Sequence, residues 1–473
     1  MGKQTWANRY ISISISLISI CFIAIFILGY KGLNFNSLLI FPPDDSWCAK
    51  GIESVGDHCF GDYSVFRLAF DQNKMVTPWL GGPGYEWAGT AYSATTMLPI
   101  LLFIEIGKIV GNFALGRNLY LALLAASMLA PAIWVSRHRW QQRGAISFLI
   151  LGVASAPFLI NLDRGNSTGL LVAPLLLVAI AYMKNQQKKM FIFIVICVLL
   201  KPQMIILVLL FLVYRAFYYA ALTILTSTSL TLAGFLFYSG SFTGNISQWT
   251  ENLSNYSGGN TPQKVLTTWP YNLSIGRSLI TVLNFLGYGS SGPNGIASLI
   301  TDNSAAISIA ALAMLSVGLL IKGKTSNPFY SLVAVITITT IFATITYSYY
   351  TVLILVPAAF VLKNPNFDDT TKNSDWLGIL DSENFSEPLR VKFYNWLLLL
   401  VFALISTPLI IPISNSLFTD AMPIPEYVGL LQVLYGPILL FLFLFSFYNV
   451  LKNPRPNRVK AIPMDPIFGE DKP

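Results

Sequence analysis

A lysine, a proline and a glutamine, Lys201-Pro202-Gln203, interrupt an otherwise apolar run over residues 191–213. An isolated cation at the centre of a lipid-facing helix costs about 3 to 10 kcal/mol, so something polar must meet it. Other charged and polar residues stand at the ends of apolar stretches that are far apart in the chain: Asp62, Asp163 with Arg164, Asn272 with Arg277, and Tyr347, Tyr349 and Tyr350. An acid that accepts a proton, set against cations that hold a phosphate, is what transfer from a phosphate-linked donor to a hydroxyl requires. Each residue also has a plainer reading. Asp62 is one of seven acids between Asp44 and Glu86. Arg164 fits a snorkelling arginine paired with Asp163, Lys201 fits a purely structural ion pair, and the tyrosines fit an interfacial aromatic belt. The only histidines are His58 and His138, and no metal-ligand cluster is visible.

Apolar segments must position these residues. The chain has 473 residues, of which 54% are hydrophobic and 11% charged, and a mean hydropathy of +0.60. These values exclude an ordinary soluble domain. A membrane helix needs roughly 20 mostly apolar residues, and such runs recur between residues 11 and 450. The expected fold class is an all-α polytopic membrane protein with about 12 membrane segments, several of them short. The net charge of +8 comes from short basic clusters beside apolar spans, as the positive-inside rule places them, which argues against nucleic acid as a partner. Residues 10–30 are too long for the apolar core of a signal peptide and no small-x-small motif follows them, so they are expected to be a retained first span. Cys21 and Cys197 fall in apolar spans, whereas Cys48 and Cys59 share the first polar loop as a disulfide or as two free thiols.

Placing the N-terminus in the cytoplasm puts 20 of the 30 Lys and Arg on that side, and leaves 10 of them with 13 of the 22 Asp and Glu outside. Both termini are then cytoplasmic. Lys184, Lys188 and Lys189 flank the Lys201 run on the same side as Arg215, which makes Lys201 the tip of a hairpin. One transmembrane domain is expected over residues 1–450, with a first external loop over 31–116, a second over 239–303, a cytoplasmic connector over 364–392 and a tail over 451–473. In the first loop, residues 63–70 and 97–110 read as interfacial helices. Spans are expected over 119–135 and 145–160, the latter ending in an external polar loop at 161–166, then down to Lys184. After the hairpin, further spans are expected over 216–238, 305–321, 329–345, 350–362, 393–413 and 428–450. The second loop carries an expected helix over 273–286, and no internal repeat is visible.

Four short motifs then stand in a particular order. Gly61-Asp62-Tyr63-Ser64-Val65-Phe66 resembles the Asp-x-x-Val-Tyr opening of the first external loop in family 87 glycosyltransferases of the GT-C superfamily, the polyprenol-phosphate-mannose-dependent mannosyltransferases and their arabinosyl relatives. Leu162-Asp163-Arg164-Gly165-Asn166 resembles that family's Gly-Gln or Gly-Asn turn, Leu200-Lys201-Pro202-Gln203 its Lys-Pro apex, and Tyr271-Asn272-Leu273-Ser274-Ile275 its Asn-Gln-Ser-Leu element. The resemblance covers residues 61–362. Two elements depart from the family pattern: a Tyr-Pro-Pro appears here as Ala91-Tyr92-Ser93, and a Trp and His are replaced by Tyr347 to Tyr350.

The resemblance implies that Asp62 is a general base, taking the proton of an acceptor hydroxyl as its oxygen attacks an anomeric carbon with inversion. It implies that Lys201, Arg164 and Arg277 hold the donor phosphate, with Asp163, Asn166, Gln203, Asn272, Tyr347 and Tyr349 binding substrate and no metal or other cofactor. The implied partners are a polyprenyl-phosphate sugar, mannose before arabinofuranose, and a glycolipid or glycan acceptor in the cell envelope. The implied location is the plasma membrane, with the site on its extracytoplasmic face. A transporter or flippase of lipid-linked saccharide is the rival class, and a non-catalytic membrane scaffold the third.

Overall fold

The computed structural model describes residues 11–20, 60, 62–63, 92–136, 143–238, 240–254, 272–288, 295–362, 389–406, 412–414 and 427–452. They are almost wholly helical. The first elements are α1 (Ile11–Ile20), α2 (Ala94–Val110), α3 (Phe113–Ser136), α4 (Arg143–Leu151), α5 (Ala156–Arg164), α6 (Val172–Met183), α7 (Gln187–Leu200) and α8 (Leu209–Tyr214). There follow α9 (Phe217–Ala233), α10 (Phe242–Ser254), α11 (Ile275–Phe285), α12 (Ile296–Asp302), α13 (Ser304–Lys322), α14 (Pro328–Ile341), α15 (Leu355–Leu362), α16 (Leu389–Ser406) and α17 (Leu430–Lys452). Among the described residues, four helices are long and apolar enough to cross a membrane: Phe113–Ser136, Phe217–Phe237, Ser304–Lys322 and Val433–Lys452. The bent pair α4 and α5 makes a fifth if it is one span.

These long helices present large apolar side chains outward, among them Leu119, Leu123, Leu225, Ile309, Met314 and Leu444. In water such surface would be driven to associate, whereas in lipid it is at home. The chain is therefore a helical membrane protein. At its centre lies α14, buried from Phe329 to Ile341. Its threonines Thr337, Thr339 and Thr340 donate to the carbonyls four residues back at 2.7, 2.7 and 2.9 Å, so no hydroxyl among them is stranded in the core. Helix α14 packs on α17 and on the 3-10 helix Pro202–Val208.

The expected hairpin at Lys201 is present. Proline disfavours helical conformation in the residue before it, and Lys201 is extended, with φ −153° and ψ 111°. The chain turns there, and the 3-10 helix that Pro202 opens packs back along α7. At the other end of the hairpin, Tyr214 donates to the Tyr182 carbonyl at 2.8 Å, and Gly323 lies so close to Val213 that a Cβ there would meet its Cα at 2.8 Å. The basic loops at 184–189, 215 and 322–324 thus gather at one end of the bundle. Lys201 lies at the far end of α7, about 21 Å away at 1.5 Å per residue.

Several expected boundaries are corrected. The span over 145–160 is two helices bent by 50°, because Ser155 caps α5 by accepting from the Phe158 N–H at 3.4 Å and Pro157 begins its first turn. The polar stretch at 161–166 is not a loop throughout, since Asn161 to Arg164 form the last turn of α5 and only Gly165 and Asn166 make the turn. The span over 393–413 ends at Ser406, and Pro412–Ser414 pairs antiparallel with Tyr427–Gly429. Pro412 cannot donate inside a helix, and this three-residue ladder is a local exception in an otherwise helical chain. The span over 350–362 opens as a 3-10 helix, Ser348–Ile354, before α15. The second loop holds α10 and α12 beside α11, which falls where a helix is expected. The expected helix over 63–70, the pair Cys48 and Cys59, most of the 364–392 connector and the tail beyond Lys452 lie outside the described residues.

Candidate active site

The turn after α5 builds half of the site. Gly165 takes the left-handed conformation, φ 62°, that closes the helix, and its N–H bonds the carbonyls of Asn161 and Leu162. A Cβ at this position would touch both Phe60 and Tyr63 at 3.4 Å, so the turn rests directly on the segment that carries Asp62. Tyr120 of α3 donates to the Gly165 carbonyl at 3.0 Å and stacks on Tyr63 at 5.3 Å.

Two side chains from this turn grip Asp62. Arg164 Nη2 lies 3.2 Å from Asp62 Oδ1, with the two side chains 11% and 14% exposed. Asn166 Nδ2 donates to Asp62 Oδ2 and to the Tyr92 hydroxyl at 3.0 Å. Its Oδ1 accepts the Thr168 N–H at 2.8 Å, which also starts the 3-10 helix Ser167–Leu171. Burial first, and the nearby Asp62 charge second, push the Tyr92 phenol well above its ordinary range. It stays protonated.

Lys201 reaches the same place from the hairpin tip. It is 3% exposed, its Nζ lies 3.7 Å from the centre of the Tyr92 ring and 5.8 Å from that of Tyr350, and that nitrogen has no hydrogen-bond partner among the described residues. Gln203, two residues on, accepts from the Tyr350 hydroxyl at 3.0 Å and donates to the Thr339 carbonyl at 3.4 Å, which fastens the hairpin tip to α14 and to Ser348–Ile354.

The predicted residues therefore divide. Asp62, Arg164, Asn166, Lys201 and Gln203 come together. Tyr347, Tyr349 and Tyr350 form a ring series beside them, with centroids 5.6 and 5.1 Å apart. Tyr349 and Tyr350 are buried, which is not how a belt residue sits; Asn161 donates to the Tyr349 carbonyl at 3.4 Å. Asp163 is half-buried in the last turn of α5. Asn272 serves as a clamp, donating to the Thr344 carbonyl at 2.8 Å while its Oδ1 accepts from Ser274 and Thr346 at 3.0 and 2.9 Å. That clamp fixes the strand of chain leading to Tyr347. Arg277 is also buried, 3% exposed, and among the described residues its Nε and Nη2 find no hydrogen-bond partner. Among the described residues no ion pair joins it to Asp62, which pairs with Arg164, nor do three metal-ligating side chains gather.

Sequence reasoning passed over Tyr92. Its only signal was that Ala91-Tyr92-Ser93 keeps the tyrosine of an otherwise missing Tyr-Pro-Pro. No family model matches the chain, and no curated protein is significantly similar to it. A functional reading must come from the cluster itself, a carboxylate held by an arginine and an amide beside a buried lysine without an acceptor.

Proposed function

We propose that this protein is a membrane glycosyltransferase with a GT-C type fold of about 12 membrane segments, moving a sugar from a polyprenyl-phosphate donor to a hydroxyl of an envelope glycolipid or glycan. Mannose is the first choice of sugar and arabinofuranose the second. The observation that carries the reading is the juxtaposition of Asp62, oriented by Arg164 and Asn166, with the buried Lys201 ammonium across Tyr92. Asp62 takes the acceptor's proton, the acceptor oxygen bonds to the anomeric carbon with inversion, and the carbon–oxygen bond to phosphate breaks, its electron pair leaving with the lipid phosphate. Lys201 meets the charge that grows on that phosphate. The basic loops gathered at the opposite end of the bundle support a site on the extracytoplasmic face of the plasma membrane.

One observation favours a second reading. Arg277 is a buried cation with donors that find no partner among the described residues, as on the path of an anionic lipid-linked saccharide through a transporter or flippase. The deciding experiment gives purified protein radiolabelled polyprenyl-phosphate mannose or arabinofuranose with a membrane glycolipid extract. Transfer is expected from the wild type, and Asp62→Asn is expected to lose it by at least about a hundredfold. Transfer that survives the substitution removes Asp62 as the base, and no transfer with any donor favours the transporter.

A further inference from the structure

Asp62 and Lys201 are an acid and a base that both border Tyr92, the one through the shared Asn166 amide and the other on the ring face. They do not pair. Asp62 is bound by Arg164 and Asn166, and Lys201 Nζ rests on the face of Tyr92 with no hydrogen-bond acceptor among the described residues. A ring face attracts a cation but accepts none of its N–H groups in the way a carboxylate does. Left to itself, a buried ammonium beside a carboxylate should close onto it, since an unpaired buried charge is the costlier arrangement. Tyr92 is the group in the way. Its hydroxyl end shares the Asn166 amide with Asp62, and its face carries Lys201.

We propose that the Tyr92 ring is a partition that holds Lys201 off Asp62. It divides the site into a base side, formed by Asp62, Arg164 and Asn166, and an anion side, where Lys201 lies beside Gln203 and Tyr350. The proposal deepens the transferase reading and rests on it for the identity of the anion, an isoprenyl monophosphate. A direct Lys201–Asp62 pair would quench both partners: the carboxylate would be a poorer base and the lysine unavailable to phosphate. The partition keeps both charges usable in one buried site. Gln203 and Tyr350, already bonded to each other, hold the lysine's backbone tip in place on the anion side.

The test is saturable binding of farnesyl monophosphate to the purified full-length chain in detergent, measured for the wild type, Tyr92→Phe, Tyr92→Leu, Asp62→Asn and the double variant Tyr92→Leu/Asp62→Asn. Tyr92→Phe keeps the ring and is expected to bind within about twofold of the wild type. Tyr92→Leu lets Lys201 reach Asp62 and is expected to bind about tenfold more weakly. Removing the carboxylate as well frees the lysine, so the double variant is expected to recover most of that loss, which a merely structural tyrosine would not produce. Wild-type affinity in Tyr92→Leu, no recovery in the double variant, or no saturable binding to the wild type overturns the proposal. Should Tyr92→Leu fail to fold, Tyr92→Met removes the ring at similar volume and is read in the same way. Binding in the expected pattern without transfer from any donor leaves the partition standing and removes the transferase reading. Wild-type transfer with unaltered binding in Tyr92→Leu removes the partition alone.

Discussion

Asn166 makes three hydrogen bonds through one amide: two from its nitrogen, to Asp62 and to the Tyr92 hydroxyl, and one to its oxygen from the Thr168 N–H. Turned over, the amide would set its oxygen against a carboxylate and its donors against a backbone N–H, so the network admits one orientation. Asn166→Asp replaces the donor facing Asp62 with a second acid. Two carboxylates sharing a site disfavour each other's ionisation. The variant should therefore need a higher pH to generate the ionised base, and the acid limb of its pH–rate profile should move up by about one unit or more. An unmoved acid limb would detach Asn166 from the base. Lys201 was legible in the sequence, because a lysine inside an apolar run is costly enough to demand an explanation, whereas Asp62 stood apart from the six other acids between Asp44 and Glu86 only through the resemblance. Tyr92 was not legible. One tyrosine among twenty-two carries no such penalty, and its importance comes from which two charges it touches.

At the scale of elements, the site depends on short, tightly packed pieces rather than on long spans. The 3-10 helix Ser167–Leu171 is stitched to α3 by Ser127, whose hydroxyl donates to the Leu170 carbonyl at 3.0 Å and accepts from the Ala173 N–H at 3.2 Å. Gly169 lies at the closest approach, where a Cβ would collide with the Asn161 amide and stand 2.7 and 2.9 Å from Leu124 and Met128. Gly169→Ala is expected to destabilise the fold by about 1 to 3 kcal/mol through overpacking, seen as a lower thermal midpoint in detergent. The displaced Asn161 would also lose its bond to the Tyr349 carbonyl, so transfer should fall with it. An unchanged midpoint would mean that the turn yields without strain. Hydropathy located most long helices to within a few residues but missed the break in the span over 145–160. Averaging over an apolar window hides Gly152, Ser155 and Pro157, although the serine and proline form a readable helix start. The end at Arg164 was missed in the opposite sense: Asn161 to Arg164 are polar and read as loop, yet they complete the last turn of the helix before Gly165 closes it.

Irregular backbone is tolerated at membrane depth only where protein surrounds it, and the 3-10 segments Ser167–Leu171 and Ser348–Ile354 are buried throughout. The whole molecule thus places its least regular chain around Asp62 and Lys201, inside a casing of longer helices with apolar outer faces. That arrangement follows from solvent. A polar site in a bilayer must satisfy its groups internally, and a charged centre open to the tails would be unstable. Charge counting alone gives the proposed orientation, and the fold adds that the basic loops at 184–189, 215 and 322–324 share one end. The opposite end should therefore face outward. Ser247 is exposed on α10 and Asn185 is exposed in the loop after α6. A cysteine at Ser247 should react with an impermeant maleimide on intact cells, above the background of the parent chain, whereas one at Asn185 should react only after lysis. The reverse pattern would place the site in the cytoplasm, where a donor made for the outer face would not meet it, and would exclude the extracytoplasmic transfer proposed for this protein.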